Sequence, residues 1–276
     1  MPGYRHSHWH SRRQALVPRR SGHMPSGLMR ARLLPALLSL LVWVLTMVTL
    51  SSGARASSPE PQAEAWTPMA TDTAREGVRT WVRRTDDSPV KAFRGETEVH
   101  EPVPNVLALM ADIPHLETWV YQIESAQRPA GFSPDHTYAR FHGIWPASDR
   151  DVLMRSTVSQ QADGSVVVAS RQVAGYPAQS GFVRIPFLRN TFRLVPLPEG
   201  WTRIEFETQV DPGGLVPAWL VNLFSTKAPV VTLQGMRAQL AGNPRYQVHS
   251  LDDLPAYYLQ GAPLQLPATH WKPSSP

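Results

Sequence analysis

The junction between a strand-like stretch and a long helical stretch, at residues 211–222, constrains the fold of this chain more than any other feature. Before the junction, residues 201–210 alternate apolar and polar side chains, as in a strand with one buried face. The turn Asp211-Pro212-Gly213-Gly214 then reverses the chain, and Pro217 suits the first turn of a helix. Apolar residues follow at intervals of three and four: Val216, Trp219, Leu220, Leu223, Phe224, Val230, Val231, Leu233, Met236 and Leu240. Such a helix needs an apolar cover for one broad face, and Pro229 predicts a kink or break within it.

The first 56 residues differ in charge from the rest of the chain, because they hold eight arginines and no acidic residue. The remaining residues contain 19 basic and 22 acidic side chains, a formal net charge of −3. A nucleic-acid partner is therefore not expected, since the basic footprint that such binding needs is confined to this segment. The 276 residues include no cysteine, which excludes disulfides and cysteine-based metal or nucleophile chemistry.

The same segment resembles a secretory signal peptide. Residues 29–32 carry two arginines, residues 33–50 are almost wholly apolar, and residues 51–56 end in small side chains of the A-x-A type. We therefore expect residues 1–56 to be a signal peptide, and the protein to be exported to the periplasm or secreted. The alternative is an uncleaved inner-membrane anchor formed by residues 33–50, because a run of this length just spans a bilayer.

The order of the remaining elements indicates an α+β fold. Residues 57–73 have the composition of a linker, and residues 243–276 form a Pro-rich tail that we expect either to lie on the surface or to be loose. Between them we predict two strands, two short helical segments, a long succession of strands and one long helix. The predicted strands cover residues 78–84, 89–99, 121–127, 137–144, 151–159, 165–172, 182–185, 190–196 and 201–210, and the short helical segments cover residues 104–111 and 113–119. Consecutive strands that are joined by short loops should pair antiparallel, because a parallel crossover needs a dozen residues or more.

Five motifs make residues 74–242 similar to the START family of lipid-transfer domains, because they follow one another in the order of that family. They are Asp112 with Trp119, Trp145-Pro146-Ala147-Ser148-Asp149-Arg150-Asp151, Gly181-Phe182-Val183-Arg184, Asp211-Pro212-Gly213-Gly214 with Pro217-Ala218-Trp219-Leu220-Val221-Asn222, and Thr232-Leu233-Gln234-Gly235-Met236-Arg237. The resemblance implies a helix-grip fold, in which a curved antiparallel sheet wraps around the long C-terminal helix and encloses a tunnel for one lipid. One departure concerns Arg155, which stands five residues after Arg150 where the family often has an arginine six residues on. In a strand, that difference moves the side chain to the other face.

Alternation along the last strand separates the side chains that we expect to face the cavity from those that face outward. Ile204, Phe206, Thr208 and Val210 share one face, and the more polar residues 203, 205, 207 and 209 share the other. The predicted ligand-binding residues are Phe141, Arg150, Ile204, Phe206, Thr208, Trp219, Asn222, Leu223 and Phe224. Glu205 and Glu207 are interpreted as solvated or paired across strands, for example with Arg193, and His142 as a surface or hydrogen-bonded histidine and not as a catalytic base.

Arg150 is the polar residue that we expect to bind a ligand. It lies between a proline-containing turn and an apolar strand, so its guanidinium is suited to a phosphate or another polar head group. A structural salt bridge with Asp149 or Asp151 is an equally weighted alternative.

These observations favour a non-enzymatic, monomeric protein that binds one hydrophobic ligand, such as a phospholipid, a fatty acyl lipid or a sterol-like molecule. Transfer of that ligand and transient contact with a membrane surface would extend this role, and no metal or cofactor is expected. The main alternative is an enzyme of the wider helix-grip superfamily, of cyclase or hydrolase type, that uses the same cavity. A third interpretation is an interaction module with a vestigial cavity.

Overall fold

The computed structural model describes residues 65–70, 72–85, 88–259 and 263–273, and within these it leaves the side chains of residues 70, 88–89, 218–220 and 222–225 undescribed. The predicted signal peptide and the alternative anchor at residues 33–50 lie outside the described residues. Among the helices in the described part, none is long and apolar enough to cross a membrane.

In the residues that the structure describes, there are ten strands, two α-helices and five short 3₁₀ helices. The strands are β1 (Thr67–Ala70), β2 (Arg79–Thr85), β3 (Ser88–Val99), β4 (Ile123–Gln127), β5 (His136–Phe141), β6 (Asp149–Gln160), β7 (Val166–Gln172), β8 (Phe182–Arg184), β9 (Phe187–Pro196) and β10 (Thr202–Asp211). The α-helices are α1 (Val103–Ala111) and α2 (Ala218–Leu240). The 3₁₀ helices span Ile113–Thr118, Pro198–Gly200, Pro244–Tyr246, Leu251–Asp253 and Ala256–Tyr258. The predicted α+β class, with short helices after the early strands and one long helix near the end, is confirmed.

The strands form one sheet in the order β1-β2-β3-β10-β9-β7-β6-β5-β4. All neighbours on this path pair antiparallel, as the short loops predict. Strand β8 is the exception, because it pairs parallel with the first residues of β6, Asp149 to Asp151. Strand β7 covers β6 only from Met154 onward and has β9 on its other side. The start of β6 therefore offers the free edge that β8 occupies. Because β6 and β8 are not consecutive strands, the prediction of antiparallel pairing does not extend to them.

Helix α2 packs directly on strand β3 and runs without a break through Pro229. A Cβ added at Gly95 would lie 2.8 Å from Leu233 Cδ1 and 2.9 Å from Pro229 Cβ, so only glycine permits this approach. The helix keeps its predicted start after Pro217, whose carbonyl accepts from the Val221 N–H at 3.2 Å. The prediction that Pro229 splits the helix is wrong, because the proline is held in the interface with the sheet.

Two segments that we predicted to be unstructured carry structure. Strand β1 lies within residues 57–73 and extends the sheet by pairing Thr67 with Val82, although its composition resembles a linker. Among the described residues after 242, five hydrophobic side chains are buried, namely Tyr246, Val248, Leu254, Tyr258 and Leu264. The tail shows no periodicity because it consists of single 3₁₀ turns and extended pieces, so its burial follows from individual contacts and not from a repeating face.

Candidate ligand-binding cavity

An internal cavity lies between the inner face of the sheet and helix α2. Its volume, measured as the space that the centre of a water molecule can occupy, is about 210 Å³. Apolar side chains from the sheet, from the 3₁₀ helix at Ile113–Thr118 and from α2 form most of its wall. They include Phe93, Met110, Ile113, Leu116, Trp119, Val120, Ile123, Phe141, Met154, Val168, Ile185, Leu188, Phe192, Phe206, Val210, Val216, Val221 and Ala228. A cavity of this kind is suited to a largely apolar ligand.

Strand β10 contributes to the wall through the face that its alternation predicts. Phe206, Thr208 and Val210 line the cavity. The Phe206 ring stacks on Phe192 of β9, with centroids 4.2 Å apart and planes at 10°. Thr208 donates its hydroxyl to Asn190 Oδ1 at 2.7 Å, so the most polar point of this face is satisfied within the protein. The two glutamates that face outward on the same strand are ion-paired, which is one of the two predicted arrangements. Arg193 Nη1 lies 3.2 Å from Glu205 Oε1 and Arg83 Nη2 lies 2.9 Å from Glu207 Oε1.

Ile204 shares the inner face of β10 but belongs to the core beyond the end of the cavity. It is fully buried and does not line the cavity. Its cross-strand partner Thr97 donates to the Glu76 carbonyl, and that carbonyl also accepts from Arg237 of α2. The C-terminal half of α2 therefore closes over this end of the sheet. The described cavity therefore does not reach Ile204, which was predicted to contact the ligand.

Arg150 lines the cavity and is only 6% exposed. Its Nη1 donates to the Ser148 carbonyl, while its Nε is buried without a hydrogen-bond partner in the described part of the chain. Burial lowers the pKa of Arg150, and the nearby Asp149 carboxylate opposes that shift. A guanidinium nevertheless stays charged near neutral pH, so the cavity wall carries one positive charge with unused donor capacity.

Neither aspartate beside Arg150 forms the alternative salt bridge. Asp149 Oδ1 accepts from the Gly143 N–H at 2.8 Å. Asp151 faces the other side of β6, where Arg184 donates to both of its carboxylate oxygens. Burial raises the pKa of Asp151, but the hydrogen bonds from Arg184 and Tyr138 outweigh it and the net shift is downward. Within the described residues, Arg150 has no ion-pair partner, which leaves its charge available to a ligand.

A second buried donor on the same wall is Trp119 Nε1. The indole is 4% exposed, packs edge-on against Phe192 at 6.3 Å, and its N–H has no acceptor among the residues described. A buried donor without a partner costs about 1–3 kcal/mol, so an oxygen supplied by a ligand or by water would stabilise the site. Asp112, its companion in the sequence motif, lies away from the cavity and accepts from Arg245 at 2.7 Å.

Five predicted site residues remain, and the structure also places His142 and Arg155, which were not predicted to contact the ligand. Phe141 is half-buried and lines the cavity as predicted. The side chains of Trp219, Asn222, Leu223 and Phe224 lie outside the described residues, although their backbone forms the first part of α2. His142 is exposed at the edge of the cavity. Arg155 lies on the outer face of β6, half-exposed, with its Nε 2.7 Å from Asp135 Oδ2, as the five-residue spacing predicts.

Many residues of the cavity wall were not predicted as ligand contacts, and two of them come from an unexpected part of the chain. Tyr257 and Tyr258 come from the C-terminal tail, which lacks any periodic pattern, and the only available signal was their pairing as adjacent aromatic residues. In the described part of the chain, no group of three or more histidine, aspartate or glutamate side chains is arranged to hold a metal ion.

Comparison with known proteins identifies the relatives of this chain. The profile of the START domain family matches residues 55–244. An uncharacterized protein from Pseudomonas aeruginosa is 29% identical over 197 residues, which cover 71% of this chain and 96% of that protein. The crystal structure of a STAR-related lipid transfer protein fragment from Xanthomonas axonopodis is 26% identical with a TM-score of 0.58, over 64% of this chain and 99% of that one. Human StAR-related lipid transfer protein 5 shares the fold, at 18% identity and a TM-score of 0.53, over 76% of this chain and 97% of that one.

Proposed function

The chain belongs to the START domain family, and from that membership and the cavity we propose that it binds one lipid without changing it chemically. The observation that carries this proposal is a cavity wall that is mostly apolar and holds one buried arginine with an unused donor. Burial of the apolar part of the ligand contributes roughly 25 cal/mol per Å². Affinity therefore comes from contact area, and the arginine orients the ligand.

The position of Arg150 favours a ligand with an anionic group. Arg150 is the second residue of β6 and follows the loop at residues 142–148, so a carboxylate or phosphate would sit near this loop with the apolar part of the ligand deeper in the cavity. A charged donor and a carboxylate or phosphate form strong, short hydrogen bonds in a site of low dielectric constant. The proposed ligand class is therefore an acidic lipid, such as a free fatty acid or a lipid with a phosphate head group.

Two exposed apolar side chains flank this end of the cavity. Trp145 is 87% exposed in the loop before β6, and Leu215 is 102% exposed in the turn before α2. His142, Pro212 and Val216, which line the cavity, lie within three residues of one or the other in the sequence. We propose that the two side chains touch a membrane surface while the ligand enters or leaves, since exposed apolar groups are stabilised there.

Organic extraction of the purified protein, followed by mass spectrometry, tests the binding proposal. We expect one class of acidic lipid in near-stoichiometric amount, recovered unchanged after incubation with the protein. Recovery of a cyclised or hydrolysed product would instead support the alternative of an enzyme in the same cavity. A protein free of lipid that also takes up none from vesicles would contradict the proposal.

Sedimentation with lipid vesicles tests the membrane contact. We expect the double variant Trp145→Ser, Leu215→Ser to lose most of its vesicle binding while it still binds lipid monomers. Met69→Ser is the matched control, because Met69 is also an exposed apolar residue but lies on β1 at the opposite edge of the sheet. Equal vesicle binding by the wild type and the double variant would exclude this surface as the contact.

A further inference from the structure

The C-terminal tail supplies part of the cavity wall although it lies beyond the residues that match the family. The match ends at residue 244, while Tyr257 and Tyr258 line the cavity. We propose that these two tyrosines close the end of the cavity opposite Arg150 and so limit the length of the ligand's apolar part. This inference rests on the proposed function, because it specifies which lipids the same cavity accepts.

The pairing of β5 with β6 shows how far the cavity extends from Arg150. Arg150 pairs with Phe141 at one end of β5, and Arg155 pairs with His136 at the other. The cavity wall continues past that second end to Pro134 and Asp135 in the turn before β5. Six residues of strand span about 20 Å at roughly 3.3 Å per residue, so the cavity follows most of the length of β5.

Arg128 ties the tyrosines to this same turn. Its guanidinium donates to the Pro134 carbonyl and, from Nη2, to the Tyr257 hydroxyl at 3.1 Å. The Tyr257 and Tyr258 rings meet edge to face with centroids 4.6 Å apart. Tyr258 is only 5% exposed, so its side chain fills this end of the cavity. Tyr257 is half-buried and lies between Tyr258 and Arg128.

Hydrogen bonds hold the tail on both sides of the tyrosines, so we infer a fixed wall and not a flap. Before them, buried Asn105 of α1 accepts from the Val248 N–H at 3.0 Å. After them, the Gln160 side chain binds both backbone groups of Gln265 at 2.8 Å, and Val103 donates its N–H to His270 Nε2 at 2.9 Å. A wall that is pinned in this way excludes longer ligands by steric overlap, because packed interiors yield little.

Competition binding with two series of lipids of increasing chain length tests the inference. The series are saturated fatty acids and lysophosphatidic acids, each displacing a fluorescent fatty acid from the full-length protein. For the wild type we expect affinity to rise with chain length and then to fall. For Tyr258→Ala we expect the fall to move to longer chains, with about tenfold tighter binding of the longest members and little change for the short ones.

Two further variants keep the test decisive. Tyr257→Ala widens the same end of the cavity at a half-buried position, so it serves if Tyr258→Ala does not fold. Leu254→Ala is the matched control, because Leu254 is a buried residue of the tail that does not line the cavity. We expect Leu254→Ala to lower the melting temperature without moving the chain-length optimum.

The outcomes separate this inference from the proposed function. If the wild type binds both series and folded tyrosine variants keep the same chain-length optimum, the tyrosines do not set the limit. The inference also fails if Leu254→Ala moves the optimum as far as the tyrosine variants do. If the wild type binds neither series, the proposed function itself is wrong.

Discussion

Arg184 holds both carboxylate oxygens of Asp151, with Nε 2.7 Å from Oδ1 and Nη2 2.9 Å from Oδ2. The Tyr138 hydroxyl donates to the same Oδ2 at 2.9 Å, and Asp151 is only 1% exposed. Since successive residues of a strand face opposite sides, this pair lies on the outer side of β6 while Arg150 faces the cavity. The adjacent residues Arg150 and Asp151 therefore have separate tasks: the aspartate joins β6, β5 and β8, and the arginine remains available to a ligand.

Arg184→Met should destabilise the protein strongly, because it leaves the Asp151 carboxylate buried without its charged partner. Removal of one member of a buried pair costs about 3–5 kcal/mol. Urea denaturation measures the change in the free energy of unfolding. Arg155→Met is the control, since the half-exposed pair of Arg155 with Asp135 should contribute less than about 1 kcal/mol. Similar decreases in the free energy of unfolding for the two variants would show that the buried Asp151–Arg184 pair stabilises the protein no more than an exposed ion pair does.

Arg150→Met should weaken binding of acidic lipids while stability changes little. A hydrogen bond to a charged group contributes about 1.5–3 kcal/mol, which corresponds to a loss of roughly 10- to 100-fold in affinity. Fluorescence displacement with a fatty acid and with the corresponding fatty alcohol measures the effect, and the alcohol should lose much less. Equal losses for the acid and the alcohol would mean that Arg150 shapes the cavity and does not recognise charge.

Phe206→Asp should abolish ligand binding, because it places a charge on the cavity wall and removes the ring stacked on Phe192. An unpaired buried carboxylate costs several kcal/mol, so a melting curve must accompany the binding assay. Glu207→Ala is the matched control on the opposite face of the same strand, where the carboxylate is partly exposed and paired with Arg83. Equal effects on ligand binding would contradict the assignment of the two faces.

The contact between the C-terminal tail and the rest of the domain at His270 should weaken at mildly acidic pH. Burial lowers the pKa of His270 below 6.5, although backbone hydrogen bonds to Leu197 and Trp201 partly offset this shift. The ring must be neutral at Nε2 to accept from Val103, so Nδ1 carries the proton and donates to the Leu197 carbonyl at 2.8 Å. The unfolded chain then binds a proton that the folded chain does not, and stability falls as the pH drops below about 6.5.

Melting temperatures at a series of pH values test this dependence. We expect the wild type to lose stability between about pH 6.5 and the lower pKa of the folded state. His270→Gln keeps a hydrogen-bond acceptor but cannot titrate. This variant should be less stable than the wild type at neutral pH, and its melting temperature should change less across this pH range. His142→Gln, at an exposed position, should follow the wild type. A wild-type profile as flat as that of His270→Gln would contradict the assignment.

If residues 1–56 are a cleaved signal peptide, as we propose, the mature protein should begin at or near Ser57, because the A-x-A site at residues 54–56 ends the segment that contains no acidic residue. N-terminal sequencing of the protein recovered from the envelope fraction measures this directly. Replacement of Ala56 by a bulky residue should block cleavage and leave a larger species. A wild-type protein that keeps residues 33–50 and stays in the membrane fraction would instead support the anchor.

The fold class and the faces of the strands were predictable because they depend on local periodicity. Alternation along residues 201–210 separated Phe206 from Glu207 correctly, and the spacing from Arg150 to Arg155 placed Arg155 on the outer face. In the same way, three- and four-residue spacing after Pro217 located helix α2. Each of these patterns depends on whether a side chain is buried or exposed, and burial recurs with the period of the strand or helix.

What covers each face is decided only by the tertiary structure. Ile204 and Phe206 have the same sequence signal, yet only Phe206 borders the cavity, because the C-terminal half of α2 fills the space above Ile204. Similarly, the sequence offered both Asp149 and Asp151 as partners for Arg150. In the structure, Asp151 instead pairs with Arg184 of β8, which is 33 residues away in the chain. The tyrosines of the tail reach the cavity through contacts with residues more than 100 positions earlier. Such contacts leave no local period, since the identity of a covering segment depends on chain topology and not on its own residue pattern.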